Sequence, residues 1–167
     1  DDLFPHTITT APRTTSAPGT VTVQRDETQP VVTYARNMAT YTVDQPVAIT
    51  CTPSDNLSGI AASTCAAISG TGYGFLVGAN TVSASATDHA GNVGSATTVF
   101  TVTVTPGSLC SLVQQWVSNG GVANSLCVKL DYGSYGAFRN ELAAQSGKKI
   151  SDANAAILLR LVNVLDP

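Results

Sequence analysis

The chain has 167 residues, 43% of them apolar, enough to bury the core of one ordinary domain or of two small ones. Only 11% are charged, against about 25% in an average globular protein, and Thr, Ser, Ala, Val and Gly fill the difference. The net charge of -3, with no basic cluster, leaves no electrostatic footprint for nucleic acid, and no block of like charge is present to dock on a membrane surface.

Residues 1–28 are rich in Thr and Pro. Prolines at 5, 12 and 18 forbid a helix through this segment. It reads as a surface linker, or as the tail of a preceding domain, with one short strand near Val21. Asp1-Asp2-Leu3-Phe4-Pro5 lacks the basic start and apolar run of a signal peptide, so a secreted protein would carry this chain as a mature or excised piece.

Residues 29–105 alternate with period two. In Val47-Ala-Ile-Thr-Cys51 the positions 47, 49 and 51 face one way; so do 82, 84 and 86, and then 98, 100, 102 and 104. Half-buried strands read like this. Turn clusters separate them: Asp44-Gln-Pro46, Ser54-Asp-Asn-Leu-Ser-Gly59, Gly70-Thr-Gly72, Gly78-Ala-Asn80 and Asp88-His-Ala-Gly-Asn92. Short strands at this spacing suggest an antiparallel sandwich.

At Thr105-Pro-Gly-Ser108 the period changes. Leu109, Leu112, Val113, Trp116 and Val117 fall on one face of a helix. Ser108 reads as its N-cap and Asn119-Gly-Gly121 as its stop. A second helical pattern covers residues 122–130. A third contains Tyr135, Phe138 and Leu142 and ends at Gly147. Ser151 caps a fourth, with Asp152 in its first turn and Leu158, Leu161, Val162 and Leu165 on its apolar face. Four short helices over residues 106–167 bury little by themselves, so they are expected to lean on the β-rich part. No apolar run reaches membrane-spanning length; the longest, residues 155–159, is followed at once by Arg160.

The four cysteines form two local pairs, Cys51 with Cys65 and Cys110 with Cys127, one in each kind of sequence. No close C-x2-C pair is present, which favours disulfides over structural zinc. Four cysteines allow three connectivities, and local pairing is the simplest. A bridge closing a loop of about 15 residues stabilises by roughly 3 kcal/mol in the chain-entropy model. Disulfides imply a secreted, extracellular chain.

Pro30-Val-Val-Thr-Tyr34, Val47-Ala-Ile-Thr-Cys-Thr52, Asp55-Asn-Leu-Ser-Gly-Ile60 and Ala86-Thr-Asp-His-Ala-Gly-Asn92 resemble bacterial immunoglobulin-like and HYR-like repeats. Leu126-Cys-Val-Lys-Leu130, Gly136-Ala-Phe-Arg-Asn140 and Ala144-Gln-Ser-Gly-Lys-Lys-Ile150 resemble the FIMAH domain, a small C-terminal helical module of secreted bacterial enzymes. Many members carry a longer charged segment where this chain has Asp131-Tyr-Gly-Ser-Tyr135. The resemblance implies a β + α fold: an antiparallel immunoglobulin-like β-sandwich over 29–105, then a small disulfide-bonded helical bundle over 106–167. It brings no catalytic residues. It implies an accessory region beside a catalytic domain, a hydrolase more often than an oxidoreductase.

Candidates for chemistry are few. The two histidines, His6 and His89, lie in the Pro-rich lead and in a tight turn, with no nucleophile–base arrangement around them. Each acidic residue has a local explanation as terminus, turn, helix cap or exposed helix face, and no pair across a cleft is indicated. Asp55, Asn56, Asp88 and Asn92 are oxygen donors in two loops expected at one end of the sandwich, where calcium is conceivable; turn chemistry explains them equally. Among the aromatic residues, Trp116 belongs to a helix core, whereas Tyr73 and Phe75 in Gly72-Tyr-Gly-Phe75 are the candidates for stacking on a sugar. The expected partners are thus a catalytic domain or chain of the parent protein and a cell-surface or substrate polysaccharide. The expected role is that of a spacer, stabilising or docking module. The alternatives are a carbohydrate-binding module and a piece of a cell-surface adhesin.

Overall fold

A computed structural model describes residues 25–167; the strand expected near Val21 lies outside them. The described residues are mixed β and α, with two sheets, four helices and two disulfides. In chain order the strands are β1 (Val31–Ala35), β2 (Thr40–Thr42), β3 (Pro46–Ser54), β4 (Ile60–Ser63), β5 (Ile68–Thr71), β6 (Gly78–Asp88) and β7 (Val93–Thr103). One sheet has the order β1-β3-β5 and the other β2-β7-β6-β4. Every pairing is antiparallel except that of β2 with β7.

Period-two alternation decides which way each strand faces. Val47 and Ile49 of β3 are buried, as are Ala84 and Ala86 of β6 and Phe100 and Val102 of β7. The intervening residues stay on the outer faces, so the apolar positions of the two sheets meet. The hairpin β6–β7 runs in unbroken register from Gly78 opposite Val102 to Thr87 opposite Val93. Its turn needs Gly91, whose φ of 91° is a left-handed conformation that a Cβ opposes.

The helices are α1 (Pro106–Trp116), α2 (Gly120–Asp131), α3 (Tyr135–Gln145) and α4 (Asp152–Leu165). Two caps differ from the sequence reading. Helix α1 starts earlier, with Thr105 as N-cap: its hydroxyl accepts from the Ser108 N–H, and Ser108 reaches back to the Thr105 N–H. Pro106 sits at the first helical position, where a missing N–H costs nothing. Thr105-Pro-Gly-Ser108 is therefore the first turn of the helix. Asn119 likewise begins α2, its side chain accepting from the Val122 N–H, so the Gly120-Gly121 pair opens a helix. Ser151 caps α4 as expected, accepting from Asn154 N–H.

The helices share the core of the sheets. Tyr41, Val47, Ile49, Phe100 and Val102 belong to the same buried cluster as Leu109, Leu126, Phe138 and Leu158. Tyr73, from the short 3-10 turn Gly72–Gly74, packs edge-on against Trp116 with ring centroids 5.1 Å apart. Its carbonyl accepts from Arg160 of α4 at 2.6 Å. A smaller cluster of Val32, Ala84 and Ala86 fills the other end, beside Cys51 and Cys65. Cys51 of β3 is bonded to Cys65 in the β4–β5 connection, tying one sheet to the edge of the other. Cys110 is bonded to Cys127, tying α1 to α2. The molecule thus has two poles. Helices close one, and the 55–59 and 88–92 turns and the entering chain form the other. They are separated by the length of β7, roughly 33 Å at the usual rise per residue.

Candidate metal centre

Three aspartates converge at the pole where the described chain enters. Asp26 precedes β1, Asp55 follows β3 and Asp88 ends β6. One carboxylate oxygen from each lies within 4.8 Å of the other two. Asp88 is 2% exposed and Asp26 8%.

Local turn chemistry places each carboxylate. Asp55 Oδ2 accepts from the N–H groups of Leu57 and Gly59, closing the 55–59 turn. Asp88 accepts from Asn92 twice, at the backbone N–H and at the side-chain amide, both at 2.8 Å. That amide also donates to the Asp26 carbonyl, joining the hairpin turn to the entering chain. Asp26 accepts from Thr28 N–H and from Ser58 N–H, a link across 32 residues. The Ser58 hydroxyl beside it, then the Thr28 N–H, holds the Asp26 carboxyl below its ordinary range and favours its charged form.

These bonds leave one clear gap. Asp55 Oδ1 is buried and has no hydrogen-bond partner in the protein, whereas Ser58 Oγ, also buried, has only the Asp26 carboxylate to turn to. Among the described residues no basic side chain pairs with the three acids either. The ion pairs of the described residues are Arg25–Glu27, Lys129–Glu141 and Arg139–Asp166. Like charges this close disfavour one another unless something positive lies between them. The donors are all oxygen, the set of a hard cation.

The sequence reading placed Asp55 and Asp88 at one end, and they are there. Asn92 acts on Asp88 as a hydrogen-bond donor, through its backbone N–H and its side-chain amide. His89 lies on the surface of the turn, its N–H bonded to the Gly59 carbonyl. Asp26 was missed. Its sequence neighbourhood is a linker, and only the long-range bonds from Ser58 and Asn92 reveal its place.

Tyr73 and Phe75 sit at the other pole, both half-buried. Tyr73 is engaged with Trp116, and Phe75 stands edge-on to Phe100 at 5.3 Å. The two rings have separate core partners. Trp116 also lines a shallow groove with Ser118, Lys148, Lys149 and Asp152. No family model matches this chain, and neither a curated protein nor a solved structure is significantly similar to it. No helix of the described residues is long and apolar enough to cross a membrane. Two disulfides point to an oxidising environment.

Proposed function

We propose that this chain is a non-catalytic accessory region of a secreted bacterial enzyme, of hydrolase type, made of an immunoglobulin-like sandwich over 29–105 and a FIMAH-like four-helix module over 106–167. The β1-β3-β5 and β2-β7-β6-β4 orders, with a disulfide from β3 to the β4–β5 connection, support the sandwich reading. Four short helices clamped by their own disulfide support the second module. The observation that carries the role is the common core. Phe100 and Val102 pack in one cluster with Leu109 and Leu158, and Arg160 and Trp116 both grip the Tyr73 turn. A unit built this way holds its two ends at a fixed distance, which suits a rigid spacer or a docking body. Its partner is then the catalytic domain or chain of the parent protein.

The groove beside Trp116 favours one second reading, a carbohydrate-binding module. An aromatic edge among polar groups is the usual composition of a sugar site. Two measurements separate the readings. The residues encoded ahead of this chain should contain a hydrolase-type catalytic motif; a run of repeated sandwiches would instead indicate an adhesin. A glycan array probed with the purified chain should stay blank, and a specific polysaccharide signal lost in Trp116→Ala would transfer the role to the groove.

A further inference from the structure

We propose that Asp26, Asp55 and Asp88 bind a calcium ion that fastens the entering chain to the β-sheet pole. Two oxygens held by one calcium at the usual 2.3–2.6 Å can be no more than about 5 Å apart, and all three carboxylates meet that bound. Asp55 Oδ1 is buried in this site without a protein partner, and burial without a partner is costly for an oxygen. A cation in contact with it supplies what the protein withholds. A small open cleft lined by Thr28, Gln29, Val31, Ser54, Asp55 and Asn56 gives an entry path, through which water can complete a coordination number of about six to eight.

The chemistry selects calcium. Among the described residues no nitrogen or sulfur donor joins the set, which disfavours zinc and copper. The donors come from a turn, a strand end and an incoming segment, an irregular set that tolerates calcium's flexible geometry better than magnesium's octahedron. The ion would bridge both sheets and the residues before β1, so its effect is to fasten residues 25–30 to this pole. The site is independent of the accessory reading, which is judged by the upstream sequence and the glycan array.

The test uses the whole chain, stripped of metal, in calorimetric titrations with calcium chloride and with magnesium chloride, and in thermal unfolding with chelator or with about 10 mM of either salt. A dissociation constant of about 10⁻⁴ to 10⁻³ M is expected, as for extracellular modules. At a hundredfold excess over it the unfolding midpoint should rise by about 5–10 °C in calcium. Asp55→Asn keeps the turn-closing acceptor but removes one charge. It should match or exceed the wild type in chelator and lose at least tenfold in calcium affinity. If that variant does not fold, Asp26→Asn is read in the same way. No heat and no midpoint shift in calcium would overturn the proposal. So would an equal response to magnesium, which is charge screening, or an unchanged calcium response in the folded variant.

Discussion

Gly94→Ala tests how tightly the entering chain is pinned. Gly94 is buried in β7, opposite Ala86, directly under the chain at Pro30. A Cβ there would overlap the Pro30 carbonyl oxygen and lie 2.9 Å from its carbon. These are backbone atoms, so no rotamer change relieves the clash, and the segment before β1 must move. Overpacking of a core costs typically about 1–3 kcal/mol, and a backbone clash belongs at the upper end. For a chain of this size each kcal/mol lowers the midpoint by about 2–4 °C, so the loss in chelator should be about 6–12 °C. Pro30 lies four positions after Asp26, so the displacement should also weaken the calcium response. Thermal unfolding by far-ultraviolet circular dichroism, with and without calcium, reads both effects. A midpoint within 1 °C or so of the wild type would refute the close approach, because a clash of this size must register at that sensitivity.

Two further changes probe the same pole. Gly91→Val should cost about 1–3 kcal/mol in urea unfolding: a Cβ there meets nothing within 4 Å, so the loss comes from the positive φ, and an unchanged urea midpoint would show that the turn is misread. The depressed Asp26 carboxyl makes a pH-dependent contribution in metal-free buffer. That contribution is present above the unfolded value of 3.8 and is lost as the pH falls through the lower folded value. The stability gap between wild type and Asp26→Asn should therefore narrow below pH 3.8 in an acid titration of the midpoint, and a gap constant with pH would contradict the hydrogen-bonded carboxylate.

Much of the fold is legible because each signal is local. Alternation placed Val47, Ile49, Ala84, Phe100 and Val102 inside, and helical spacing placed Leu109, Leu112, Val113, Leu158 and Leu161. Local pairing of the cysteines agrees with the two bridges found. The misplaced caps show where one signal hides another. Ser108 is a good capping residue, yet Thr105 takes the cap because Pro106 prefers the first helical position, which leaves Ser108 as the reciprocal partner. Asn119-Gly-Gly121 looks like a stop, but the asparagine side chain faces forward and starts α2. The Tyr73 ring seemed free because its loop is glycine-rich; its partner Trp116 lies 43 residues on, across the seam. Asp26 was illegible for the same reason, since every contact that gives it meaning, apart from Thr28, is long-range.

If sheets and helices form one mechanical unit, they must unfold together. Trp116, the only tryptophan, sits at the seam and reports on it by fluorescence. Tryptophan fluorescence and far-ultraviolet circular dichroism of the full chain should trace one coincident transition, and residues 106–167 alone should melt clearly lower than the same helices in the full chain. Two separated transitions, or equal melting of the isolated helices with spectra that add to that of the whole, would mean two independent modules and would contradict the single unit.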